Sequence, residues 1–224
     1  LWAGLTGLYR MLRACPADLI WFHARLPVVM GRMLCALRLW RPDVPVVCTF
    51  HGLPVDPGHR PLARHISRIL EKRLLALCPP LHLVFLTDKM MNDMIAVVRP
   101  RRMARHHLYV LENRSSLGPL PKPVPSNGRH LVMTGRDSWQ KDLDRAAGLL
   151  ACLPPDFTLT FCGPGTDSPA FCDRIAALVP SDVFIRIRFV GPVQDVRPYL
   201  SDADAYLLTS RYEGTPIGAL EAFE

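Results

Sequence analysis

The sequence predicts an α/β protein made of two doubly wound domains, and three observations carry that prediction. Short apolar runs alternate with longer segments of helical spacing, the order that lays down a parallel sheet covered on both faces. The alternation stops once, at LGPLPKPVPSN (Leu117 to Asn127), where four prolines stand in eleven residues, and then restarts. The composition, 49% hydrophobic and 21% charged over 224 residues, belongs to a globular chain with a sizeable core. It excludes disorder, collagen and coiled coil. Residues 1–116 make the first domain, 117–128 an extended linker and 129–224 the second, both domains Rossmann-like and both incomplete.

In the first half Leu5 to Ala14 has helical spacing and Asp18 to His23 is a short apolar strand. Pro27 to Trp40 is helical, with Arg25, Arg32 and Arg38 as polar punctuation. The strand Val44 to Phe50 follows, then a long helix from Arg60 to Leu77, the strand Leu81 to Leu86, a short helix from Asp88 to Val97 and a strand at Leu108 to Leu111. Beyond the linker come the strand His130 to Thr134, the helix Lys141 to Cys152, the strand Phe157 to Cys162 and the helix Ala170 to Val179. The strand Ile185 to Val190, the helix Val193 to Leu200, the strand Ala205 to Leu208 and a helix opening at Pro216 complete the order. A chain that opens on Leu and ends soon after starting a helix is expected to be a piece of a longer protein.

Charge divides at the linker. Residues 1–127 hold 18 Lys and Arg against 7 Asp and Glu, whereas 128–224 hold 9 against 13. A basic half suits an anionic membrane face or phosphorylated and nucleic-acid ligands, and equally a set of solvated helix faces. A nucleic-acid partner is not expected, because the arginines lack interleaved aromatic residues or a recognition motif. The longest uncharged stretch, Leu74 to Thr87, contains two prolines and falls short of the roughly 18 apolar residues that a bilayer span needs. The apolar Leu1 to Tyr9 has no preceding basic region and does not read as a secretory leader. The seven cysteines show no C-x-x-C, so reduced, buried thiols in a cytoplasmic protein are expected, and no metal site.

Ligands of such sheets bind at the carboxyl ends of the strands, where helix amino termini converge. Four loops qualify: His51-Gly52, Gly135 to Lys141, Cys162 to Asp167 and Ser210 to Ile217, which points to a cleft between the domains. The most informative is SRYEGTPIGALE, Ser210 to Glu221. Thr215 can cap the helix, Pro216 suits its first turn and Gly214 admits a ligand to the backbone. Glu213 stands at the helix start and Glu221 eight residues on, so two carboxylates can reach different parts of one ligand. A capped surface helix with two solvated acids would have the same sequence.

At these residues the chain resembles a known family, the GT-B-fold retaining glycosyltransferases of family 4 (glycosyl transferases group 1), whose signature is two Glu separated by seven residues. TGRDSWQKDLDRA (Thr134 to Ala146) is similar to its G-R…Q-K-G segment, FCGPG (Phe161 to Gly165) to its G-x-G strand end, and FVGPVQDVRPYLSDADAYLLTSRYEG (Phe189 to Gly214) matches nearly throughout. VPVVCTFHG (Val44 to Gly52) resembles the family's T-x-H-[DG] strand end and VFLTDKMMNDM (Val84 to Met94) its v-x-S segment. Asn113-Arg114 stands where the family has N-G, and Thr87 where it has Ser.

The resemblance implies that Arg136 and Lys141 hold the diphosphate of a nucleotide-sugar donor, with Gly163 and the amides of Gly214, Thr215, Pro216 and Ile217 around it. It implies Glu213 on the donor sugar, Glu221 on the ribose hydroxyls, Val193 under the base and His51 near the anomeric carbon. Ordinary surface cations, plain core packing at Val193 and a buried structural histidine at His51 remain as alternatives. Asp202-Ala203-Asp204 is expected to be helix-end structure rather than a metal motif. The implied activity is metal-independent transfer of a sugar, with retention, to a sugar or lipid-linked acceptor in polysaccharide or glycolipid biosynthesis. The nucleotide-sugar is a substrate, so no cofactor is expected. Arg99, Arg101, Arg102 and Arg105 would rest on anionic lipid at the inner face of a bacterial membrane. The rival expectation is a noncatalytic nucleotide-binding or membrane-docking module with the same fold.

Overall fold

Continuous apolar runs bury both faces of a strand, and here they pair as two all-parallel sheets. The computed structural model describes residues 2–121 and 128–224. It divides into two units, Leu1–Asn113 and Arg114–Glu224. Half of the expected linker, residues 122–127, lies outside the described residues.

In the first unit the order is α1 (Trp2–Ala14), β1 (Ile20–Phe22), α2 (Arg25–Ala36), β2 (Val46–Phe50), α3 (Pro61–Leu77), β3 (His82–Phe85), α4 (Asp88–Val98), α5 (Pro100–Met103) and β4 (His107–Val110). The sheet runs β1-β2-β3-β4, with Phe22 beside Cys48 and Cys48 beside Leu83, so that the strand ends reach one edge together. Cys48, Leu75, Leu83, Phe85 and Met94 are wholly buried, and the Phe50 and Phe85 rings stack at 5.1 Å. Within this apolar body α2 and α3 are joined by an ion pair. Arg32 donates to both Glu71 oxygens, at 2.5 and 2.9 Å, and each side chain is 1% exposed. Thr87 caps α4 by accepting the Met90 N–H at 3.1 Å, so a Thr serves where the family pattern has Ser.

The second unit contains β5 (His130–Thr134), α6 (Leu143–Leu150), β6 (Thr158–Cys162), α7 (Pro169–Leu178), α8 (Ser181–Phe184), β7 (Ile187–Gly191), α9 (Arg197–Ser201), β8 (Ala205–Tyr206) and α10 (Ile217–Ala222). Its sheet runs β7-β6-β5-β8. The chain builds outward from β5 to β7 and then returns to the other side of β5, which makes the gap between β5 and β8 a topological switch point. Phe161 and Phe171 meet edge to face at 5.5 Å in the core, and Ser168 caps α7 ahead of Pro169.

The thiols depart from expectation in part. Cys35, Cys48, Cys78 and Cys162 are buried, but Cys15 and Cys152 are exposed, and all seven are free. Burial pushes the Cys35 and Cys48 thiols up to about 12, so both are inert. Among the described residues no helix is long and apolar enough to cross a membrane. Asp202 caps the end of α9, and Asp204 fastens β5 by accepting the His130 N–H at 2.8 Å. Among the described residues no group of three or more His, Cys, Asp or Glu converges on a metal site.

His106 makes the first unit sensitive to acid. Its Nδ1 accepts the Leu81 N–H and its Nε2 faces the Leu75 carbonyl, an arrangement that needs the neutral ring. Burial holds its pKa below the usual histidine value, and partial burial acts in the same direction on His51 and His59. A group whose folded pKa is depressed stabilises the fold above its unfolded pKa, and that contribution is lost as pH falls through the folded value. The unfolding midpoint of residues 1–113 is therefore expected to fall as pH drops below about 6.5, and His106→Gln to weaken that dependence. A midpoint unchanged or rising over this range would contradict the assignment.

Candidate functional site

The switch point is where chemistry-bearing side chains collect. β5 ends at Thr134 and β8 at Tyr206, and their hydroxyls meet at 2.9 Å. The first turn of α10 rests on this pair. A Cβ at Gly218 would lie 2.3 Å from the Tyr206 hydroxyl and 2.4 Å from Thr134 Oγ1, so only glycine lets the helix come so close. Burial pushes the Tyr206 phenol up, and burial does the same for the Glu221 carboxyl on α10, with Glu224 adding to it.

Above them two loops are fastened along their length. The loop after β5 offers the Gln140 carbonyl to the Arg211 N–H at 2.8 Å. Thr209 Oγ1 donates to the Asp142 carbonyl at 2.9 Å. Arg211 bonds the Asp142 carboxylate at 2.7 Å and stacks 3.9 Å from the Trp139 ring centroid. This zipper places Lys141 Nζ 2.8 Å from Glu213 Oε1 and Gln140 Nε2 3.2 Å from Glu213 Oε2. Each carboxylate oxygen thus has its own donor, and Lys141 and Glu213 are both only 18% exposed.

The third strand end completes the floor. The Gly135 N–H bonds the Cys162 carbonyl at 2.8 Å, and the Gly163 N–H bonds the Gly191 carbonyl at 2.7 Å. Gly163 has φ 145°, and a Cβ there would sit 2.3 Å from the Gly135 oxygen. Asp137 is held by Arg174 at 2.6 Å, which also bonds Asp144 at 3.1 Å and so ties the loop to α6.

Comparison with known proteins decides the family. Residues 128–224 match the model described as "Glycosyl transferases group 1", and residues 1–110 the one described as "Glycosyltransferase Family 4", so together they take in nearly the whole chain. The chain belongs to the family 4 glycosyltransferases. Solved structures share its GT-B fold. HepE from Anabaena, in complex with UDP-glucose, is 16% identical over 92% of this chain and 56% of its own, with a TM-score of 0.65. A point mutant of TarM from S. aureus, in complex with Fondaparinux, alpha-GlcNAc-glycerol and UDP, is 14% identical over 97% of this chain and 42% of its own, at 0.68. The chain spans about half the length of these proteins. No curated protein matches the sequence.

In this glycosyltransferase chain the expected residues are not all placed alike. Lys141 and Glu213 are brought into direct contact, with Gly214, Thr215 and Pro216 in the same turn. Arg136 is exposed on the loop after β5 and makes no ion pair among the described residues. Gly163 is present for close packing, because its N–H is already taken. The sequence predicts Thr215 as the cap of the last helix and Pro216 in its first turn. Instead Pro216 is itself the N-cap, without a side-chain cap bond, and α10 starts at Ile217. The Pro216 carbonyl accepts the Ala219 and Leu220 N–H groups at 3.1 and 3.2 Å, so these amides are spent inside the turn. Val193 is 37% exposed, which plain core packing does not explain.

His51 follows β2 and is exposed rather than buried. Its Nε2 lies 3.3 Å from Nδ1 of His23, which follows β1 directly. Partial burial and then the neighbouring His23 hold the His51 pKa down. Trp21 Nε1 donates to Thr49 at 2.8 Å beneath them. Sequence reasoning misses His23, Gln140, Thr134 and Tyr206 as site residues. A histidine ending each of two adjacent apolar strands is a usable signal for His23. Nothing local marks Tyr206, whose partner Thr134 lies 72 residues away.

Proposed function

We propose that the protein to which this chain belongs transfers a sugar from a nucleotide-sugar donor to an acceptor hydroxyl with retention of configuration. The observation that carries the reading is the Lys141–Glu213–Gln140 contact at the switch point, which assembles a cation, a carboxylate and an amide where a GT-B fold receives its donor. HepE and TarM, solved with UDP and with sugars, support it.

In this reading Arg136 and Lys141 face the diphosphate, Glu213 the sugar hydroxyls, Glu221 the ribose and Val193 the base. As the bond from the anomeric carbon to the β-phosphate oxygen breaks, negative charge grows on the departing diphosphate. Fixed cations stabilise it without reorganising and without a metal. The acceptor oxygen approaches the same face and its proton passes to the leaving phosphate oxygen. His51 is assigned to the reaction in its neutral form, because an imidazolium would oppose the cationic sugar. The Lys141–Glu213 pair adds a constraint, since the diphosphate competes with a carboxylate already 2.8 Å from Lys141 Nζ.

The acceptor is a sugar or lipid-linked sugar of polysaccharide or glycolipid assembly, met at the cytoplasmic side of an anionic membrane. Donor turnover by the complete protein, with product configuration read from the anomeric proton coupling, tests this. An α product from an α donor is expected. A β product refutes retention, and donor binding with no turnover leaves only a noncatalytic module.

A further inference from the structure

Helix α3 carries a face that its own unit does not cover. Ser67, Glu71, Leu74 and Leu75 are buried on its inner side. Leu62, Ile66, Ile69 and Leu77 are 72, 55, 50 and 63% exposed. At about 100° per residue these four fall within an arc of roughly 80° on the opposite side, so they form one stripe. Arg73 lies within that stripe by the same spacing, and His65, Lys72 and Arg68 line one flank. Arg102 donates to the Lys72 carbonyl at 3.4 Å and Arg105 to the Ala76 carbonyl at 2.8 Å, which fixes two guanidiniums against the carboxyl-terminal half of the helix. The only acid in residues 60–77 is Glu71, which is buried against Arg32.

We propose that this face of α3, with Arg102 and Arg105, is a docking surface for an anionic lipid bilayer. An apolar stripe edged by cations lies in the plane of the headgroups, with its Leu and Ile side chains at the acyl boundary and its cations on lipid phosphates. Charge complementarity favours this occupant. A second copy of the chain would set the same cations against one another. A nucleic-acid backbone would use the cations but leave four neighbouring aliphatic side chains in water. The proposal rests on the reading of the protein as an enzyme at a membrane face, and it names the surface that holds it there.

Cosedimentation of the 224-residue chain with vesicles of phosphatidylcholine alone and of equimolar phosphatidylcholine and phosphatidylglycerol tests it. Binding to the mixed vesicles only, falling with salt, is expected. Lys72→Ala and Arg73→Ala should each weaken it about fivefold, and Ile66→Ser with Ile69→Ser about tenfold or more. Circular dichroism establishes that the variants fold. Equal binding to both vesicle types, or indifference to these substitutions, overturns the proposal. So does a dimer that the Ile66/Ile69 variant dissolves while no vesicle binding is found. UDP titration of the same samples separates the two readings. UDP binding without vesicle binding sinks the docking surface alone, and vesicle binding without UDP binding sinks the donor site alone.

Discussion

Glu71→Gln is expected to destabilise residues 1–113 by about 3–5 kcal/mol, the range for breaking a buried ion pair from one side. Arg32 and Glu71 are both 1% exposed, so the remaining guanidinium would have neither water nor a full counter-charge. Burial alone would lower the Arg32 pKa, and the Glu71 carboxylate more than offsets that, which keeps the guanidinium charged in the fold. The Arg32 guanidinium lies 5.2 Å from the Phe50 ring centroid, and its Nε bonds the Val28 carbonyl, so the loss would spread to the α2–β2 packing. Trp2, Trp21 and Trp40 lie in this unit and Trp139 in the other, so fluorescence during urea unfolding reports mainly on the unit in question. Replacing both partners, Arg32→Met with Glu71→Leu, should recover most of the loss, because no buried charge is then left alone. A single-variant loss below about 1 kcal/mol would mean that the pair is solvated in practice.

Lys141→Ala should lower kcat about 10²- to 10³-fold in the complete enzyme, the usual consequence of removing one preorganised donor from a developing anion. The effect belongs on kcat more than on KM, because charge on the leaving diphosphate is greatest in the transition state. Glu213→Gln frees Lys141 from its 2.8 Å partner but also removes the carboxylate assigned to the sugar. It should therefore weaken donor binding as well as turnover. Steady-state kinetics separate the two variants, and a Lys141→Ala enzyme within about threefold of wild type would exclude Lys141 from the diphosphate site.

The strands were legible because apolar runs of parallel sheets leave little ambiguity, and each observed strand overlaps the segment expected for it. What escaped the sequence was decided at long range. The helix expected from Lys141 begins at Leu143, because Asp142 adopts φ 52° with its carboxylate bonded to Arg211 and its carbonyl to Thr209. Those partners lie 69 and 67 residues away and leave no local mark. The helix expected to reach Trp40 ends at Ala36, where Arg38 turns at φ 59° and the Leu39 and Trp40 N–H groups bond the Leu34 carbonyl. A glycine usually signals such an ending, and its absence hid this one. The helix expected from Val193 starts at Arg197, whose N–H is held by Asp195 Oδ1 at 3.0 Å.

The site shows the same division. The glutamate spacing and Lys141 marked the two loops, because their chemistry is carried by side-chain type. The Thr134–Tyr206 pair and the close fit of Gly218 depend on β5 lying beside β8, a neighbour relation that appears only once the sheet is assembled.

Calorimetric titration of the chain with UDP, GDP and dTDP, repeated on an Arg136→Ala/Lys141→Ala variant of unchanged stability, tests the central claim most directly. The account predicts saturable binding of at least one nucleoside diphosphate, and loss of most of that affinity in the variant. Undiminished binding by the variant would show that the pyrophosphate is held elsewhere, and the switch-point site would have to be abandoned.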